Sequence, residues 1–134
     1  MSAAVLTIPA PGKWIATNQH GHWRGNHALV TLWRNAATIR ARQLGVTIRS
    51  PFALHAVVHK RDRRLFDLDG VVPSIKAAVD GCRTAGLIED DNWRHMVRLT
   101  VEAGDPDPAP YLQLRFEEMQ DVQALPGRRL RPRP

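Results

Sequence analysis

A single cysteine, Cys82, has no partner for an internal disulfide, so a disulfide-stapled secreted fold is excluded. The thiol reads as a small core residue in a reducing cytosol. No run of 18 apolar residues occurs, which leaves no candidate membrane span. The opening MSAAVLTIPAPGK has neither a basic leader nor a long apolar segment, so no secretory signal is expected. Internal repeats are missing, as is a glycine-rich phosphate loop. Acid is nearly missing from the first half: residues 1–66 hold one acid, Asp62, against ten Lys or Arg.

What is present fits one folded domain. The chain has 134 residues, 43% of them apolar. A chain of this size buries roughly two-thirds of its unfolded surface, enough for one core. The net charge of +6 favours an anionic partner, most commonly nucleic acid. Its distribution is uneven. Residues 1–66 carry a net of +9, residues 67–126 a net of −7, and residues 127–134 a net of +4. A basic half beside an acidic half suits a metal nuclease, with cations for the backbone and carboxylates for the metal. The plain alternative is charge scatter in a basic protein.

Hydrophobic spacing gives the element order. Ala3–Ile8 is a short apolar run closed by Pro9 and Pro11 and reads as a strand. Residues 12–26 are polar and punctuated by glycine, a loop or flap. Residues 28–44 repeat at helical spacing through Leu29, Leu32, Trp33, Ala36, Ala37, Ile39 and Leu44. Asn26 is the expected N-cap and Gly45 the stop. Phe52–His59 reads as a strand. Pro73 opens a second helix with Ile75, Val79 and Cys82 on its buried face, ended by Gly86. A strand is expected near Trp93–Val101 and another over Tyr111–Phe116, joined by the turn-rich GDPDPAP. The expected fold is α+β, one domain over residues 1–125 with a mixed or antiparallel sheet of about four strands in the order β-α-β-α-β-β. Residues 126–134 read as a basic tail, disordered in isolation.

Chemistry gathers in the second half. Asp67 and Asp69 lie two apart, which on an extended segment turns both carboxylates to one side. Such a pair repels itself unless a cation lies between, and Mg²⁺ takes carboxylate oxygens with water and phosphate. The plain reading of this short pattern is a solvated turn. Asp90 and Asp91 follow the second helix. The helix advances roughly 20 Å, and an extended return of five residues recovers roughly 16 Å. The second acid pair thus comes back towards the first, with one of its two members facing it. Lys76 lies one turn into the helix, placed to reach a phosphate or to pair with Asp80 four residues on. Lys13, Arg24, Lys60, Arg61, Arg63 and Arg64 are candidate phosphate contacts. Trp14 and Trp23, interleaved with Lys13 and Arg24, suit stacking on unpaired bases. His20, His22 and His27 lack cysteine and a fourth ligand and match zinc poorly.

The stretch Asp62 to Asn92 resembles the core of the RusA-like Holliday-junction resolvases. The shared pattern is a basic run, then D-L-D, then Lys76, Ala77, Asp80, Ala85, Gly86, Asp90 and Asp91. The likeness extends loosely over residues 5–117, with Pro9, Pro11 and Asn18 fitting the family's start, and is specific over 61–92. Gly70 replaces the family's usual Asn after D-L-D, and the spacing from Asp69 to Lys76 is longer than usual.

The resemblance implies a Mg²⁺-dependent endodeoxyribonuclease, with Mn²⁺ able to substitute, that cuts four-way or other branched DNA as a homodimer in recombination and repair. It places the catalytic and metal-binding acids at Asp67, Asp69 and Asp91, with Asp90 beside them, and the catalytic lysine at Lys76. It implies a cytoplasmic protein, bacterial or phage-encoded in a bacterial host. The alternatives are a noncatalytic DNA-binding protein derived from the family and a nuclease for structured RNA.

Overall fold

The computed structural model describes residues 2–15 and 23–120, the side chains of residues 23–25 excepted. Its elements are β1 (Ala3–Pro9), α1 (Trp23–Leu44), β2 (Phe52–His59), a 3-10 turn (Asp69–Val71), α2 (Val72–Thr84), β3 (Met96–Ala103) and β4 (Tyr111–Glu118). The expected order and α+β class hold. The strands form one sheet in the order β1-β4-β2-β3. β4 inserts between β1 and β2, antiparallel to both. β2 and β3 run parallel, which requires a crossover, and α2 supplies it.

Alternation decides which face of the sheet is buried. In the strand register Ile8, Leu112 and Val58 form one row, Leu6, Leu114 and Ala56 a second, and Ala4, Phe116 and Leu54 a third. All nine are buried. Since side chains two apart share a face, these rows make one apolar surface. The helices supply the rest of the same core through Trp33, Ala37 and Ala41 of α1 and Ile75, Ala78, Val79 and Cys82 of α2. The other face carries Thr7, Gln113, Arg115, His55 and Glu102, all at least partly exposed. Burial pushes the Cys82 thiol up to about 12, so Cys82 is the inert core residue expected.

The two helices meet at Gly81. A Cβ there would collide with the carbonyl oxygen of Arg34 and sit 2.9 Å from Cβ of Ala37. Thr38 closes the contact, its hydroxyl donating to the Arg34 carbonyl at 2.8 Å and lying 3.2 Å from that of Gly81. Gly45 and Gly86 have φ of +68° and +82°, the left-handed conformation that ends each helix.

Two boundaries and one buried face differ from the sequence reading. The first helix begins at Trp23, so Asn26 lies inside its first turn and does not cap it. The cost of Gly25 in a helix is about 1 kcal/mol and is outweighed by the packing of the turns that follow. Leu32, Ile39 and Leu44 are exposed, because the buried stripe runs through Trp33, Ala37 and Ala41. β3 begins at Met96; Trp93 stands in the turn before it, 63% exposed. No helix among the described residues is long and apolar enough to cross a membrane.

Candidate functional site

The second acid pair meets α2 at Lys76, and no contact of it with Asp67 or Asp69 is seen among the described residues. The Lys76 Nζ lies 2.5 Å from Asp91 Oδ2 and 3.0 Å from Asp80 Oδ1. The Asp91 contact comes first among the causes that hold the Lys76 ammonium above its ordinary pKa. Arg83, two turns further along α2, approaches Asp90 at 3.5 Å and Asp91 at 3.9 Å. Three carboxylates and two cations thus share one surface of α2 and the segment that follows it.

Asp90 and Asp91 take different parts, as adjacent residues should. Asp91 turns inward, with 11% of its side chain exposed, towards Lys76. Asp90 shapes the turn: its carboxylate accepts the backbone N–H of Asp91 at 2.7 Å and the side-chain amide of Asn92 at 3.3 Å. The Asp91 N–H is the main reason Asp90 stays below the usual carboxylate range. The turn is anchored by Leu87 and Ile88, both buried, and by the Leu87 carbonyl, which accepts Ile48 N–H at 2.7 Å.

Asp67 and Asp69 are exposed and make no side-chain hydrogen bond or ion pair among the described residues. They do not lie on an extended segment. Leu68 between them is helical (φ −61°, ψ −39°), and Gly70 N–H donates to the Asp67 carbonyl at 3.0 Å. The 3-10 turn forms because the chain is already winding into α2 ahead of Pro73. The common direction expected from strand alternation therefore does not apply. The two acids share the entry to α2, while Asp91 faces Lys76 on its flank. Among the described residues no three His, Cys, Asp or Glu side chains are grouped to hold a metal ion. The donor set is all carboxylate oxygen, which in chemistry suits a hard divalent cation such as Mg²⁺.

The basic run borders a cleft of about 500 Å³ at the end of β2. Lys60 lies half-buried, its ammonium 5.3 Å from the Trp14 ring centroid and 4.9 Å from that of Phe66. Burial lowers its pKa, with Asp62 acting in the opposite sense. Arg61 and Arg64 line the cleft with Lys13. Arg64 is tied to Asp62 by its backbone N–H at 3.0 Å and loosely by its guanidinium at 3.7 Å. Arg63 borders the adjoining hollow beside Gly104.

Several side chains escaped the sequence reading. Arg83 is one, although it lies three residues after Asp80 on the same helical face. Phe66 is another, hidden by its place beside the acids. Ser74 is fully buried, and its hydroxyl accepts the Ile15 N–H at 2.7 Å. His59 stacks on Tyr111 at 4.1 Å and donates from Nδ1 to the Asp105 carbonyl. Asn18, His20, His22, the side chains of Trp23 and Arg24, and the tail over 126–134 lie outside the described residues. No protein-family model and no curated protein matches the chain. The RusA-like resemblance therefore rests on the residues quoted for it.

Proposed function

We propose that the protein is a Mg²⁺-dependent endodeoxyribonuclease that cuts four-way or other branched DNA in recombination and repair. The observation that carries this reading is the Lys76–Asp91 contact. It brings Asp91 to the flank of α2, the helix that the D-L-D acids precede. A basic cleft immediately precedes those acids in the chain, so phosphate binding and acid chemistry lie side by side.

By the resemblance Asp67, Asp69 and Asp91, with Asp90 beside them, are the residues that would hold the cation, and they would have to draw together to do so. A divalent cation in such a site supplies an activated water and neutralises charge on the phosphate. The chain's own part is positional. Arg61, Arg63 and Arg64 hold backbone phosphates, since a guanidinium pairs with two phosphate oxygens. Lys76 keeps a positive charge beside the acids, where it stabilises charge that develops at the phosphate.

Symmetric cutting of a junction calls for two centres, and we assign the active form as a homodimer. The outer edge of β3 supports this, because it is self-complementary. An antiparallel pairing centred on Thr100 sets Arg98 opposite Glu102 of a second copy, and Leu99 opposite Val101. Leu99 is 43% exposed, an apolar side chain suited to cover.

The test is cleavage of a four-way junction against a linear duplex of the same sequence, with and without Mg²⁺. Metal-dependent cutting that prefers the junction is expected. Tight junction binding without cutting in any divalent metal favours the second reading, a noncatalytic DNA-binding protein. The engagement of Asp91 by both Lys76 and Arg83 speaks for that reading.

A further inference from the structure

The cleft at the end of β2 has more apolar wall than a phosphate site needs. Trp14 is held from two sides. The indole N–H of Trp33 donates to the carbonyl of Lys13 at 2.9 Å, and Ser74 receives the N–H of Ile15. Trp14 itself packs against Trp33, with ring centroids 4.7 Å apart. It is a fixed ring whose backbone is tied to both helices. The Phe66 ring lies 4.9 Å from the Lys60 ammonium, and Leu65 beside it is fully exposed. One ammonium thus serves two aromatic rings at the mouth of a cleft edged by arginines.

From this geometry we propose that the cleft binds one unpaired nucleotide of the DNA substrate, its base against Trp14 and Phe66 and its phosphates on Arg61 and Arg64. Each component has a physical role. A nucleobase stacks on an aromatic face whatever its identity, because every base has a π face. Lys60 is attracted to both rings and offers its ammonium to a base carbonyl. The cleft's volume lies within the range of small-ligand pockets, which is about 300–1,000 Å³. Leu65 and Phe66 lead directly into Asp67, so a nucleotide seated here sets the strand against the acids. Ser74, which anchors the Trp14 segment, lies two residues from Lys76 on the same helix. The inference rests on the nucleic-acid reading above and specifies it: the substrate is DNA carrying an unpaired base next to the cut.

The experiment uses the full chain without divalent metal. Fluorescence anisotropy measures its affinity for labelled hexathymidylate and for an abasic hexamer of equal charge. The expected result is about tenfold tighter binding of hexathymidylate. Phe66→Leu and Trp14→Leu should each remove most of that difference and leave the abasic affinity within about twofold. Trp93→Ala, a change at an exposed tryptophan in the turn before β3, should leave the preference in place. Equal affinity of the two oligomers for the unmutated protein overturns the proposal, and that comparison needs no variant. So does a base preference that survives Phe66→Leu or vanishes in Trp93→Ala. Because no cleavage is measured, a negative result with junction cutting intact removes the pocket and leaves the nuclease. A positive result with no cutting anywhere does the reverse.

Discussion

Carboxylates in this chain perform three tasks, and charge alone does not tell them apart. Asp67 and Asp69 stand in solvent. Asp91 is matched to Lys76. Glu118 ties chain segments together, accepting the N–H of Ser2 at 3.0 Å and that of Arg49 at 2.9 Å. The Arg49 N–H first, then that of Ser2, holds Glu118 below its ordinary value of 4.5. A depressed carboxylate stabilises the fold fully above that value, and the contribution fades as pH falls through the lowered one. Glu118→Gln should therefore lower the denaturation midpoint near neutrality and narrow its gap from wild type in acid. Urea melts across that range check the sign. The acid site gives the second prediction at this scale. Asp67→Asn, Asp69→Asn and Asp91→Asn should each abolish cleavage and keep junction binding, since an amide is a poor partner for a cation and repels phosphate less. Asp90→Asn should cost less, because Asp90 is occupied with its turn. Lys76→Ala should lower the rate more than the affinity. Paired gel shifts without metal and single-turnover cutting with Mg²⁺ decide; wild-type rates in the three Asn variants would sink the assignment.

Elements were legible in the sequence wherever one period dominated. FALHAVVH is a short β-like run with Pro51 at its start, and β2 has the bounds expected of it, with burial that alternates residue by residue. Ile75, Val79 and Cys82 mark α2 correctly. The same periodicity missed that α2 is also buried through Ser74, Ala77 and Gly81. Apolar periodicity does not register a helix-to-helix contact made by small residues. For the candidate site, element lengths sent Asp90 and Asp91 back towards Asp67 and Asp69, and the contact the fold makes is that of Asp91 with Lys76. The local winding at Leu68 was out of reach, because it follows from the turn into α2 and not from alternation. Gly81 makes the element-scale prediction. Gly81→Ala adds a methyl where the Arg34 carbonyl already sits, so the helices must part or tilt. The gain in helix propensity is about 1 kcal/mol, and overpacking costs about 1–3 kcal/mol. A net drop in melting temperature is expected, larger for Gly81→Leu, as read by calorimetry. Unchanged melting in both variants would show that α1 does not approach α2 this closely.

The chain separates its charges along the sequence, and the proposed DNA binding should reveal it through salt. Ten cations in residues 1–66 release counterions when they meet phosphates, so binding should weaken steeply between low and physiological salt. Deleting residues 127–134, with four arginines, should weaken binding evenly across substrates and spare the cutting chemistry. The last expectation concerns β3. It pairs with β2 alone among the described strands, so its outer row of N–H and C=O groups has no neighbouring strand. Self-pairing about Thr100 places Arg98 and Glu102 on one face, opposite each other's copies, where unlike charges stabilise and like charges repel. Glu102 already meets His55 at 2.8 Å, which fixes its carboxylate on that face. Arg98→Glu should therefore set two acids against two acids and shift the proposed dimer towards monomer by roughly tenfold or more in dissociation constant. Glu102→Arg should do the same with cations, and the double exchange should restore the dimer. Light scattering across a dilution series reads all four proteins, and one oligomeric state shared by all of them rules this interface out.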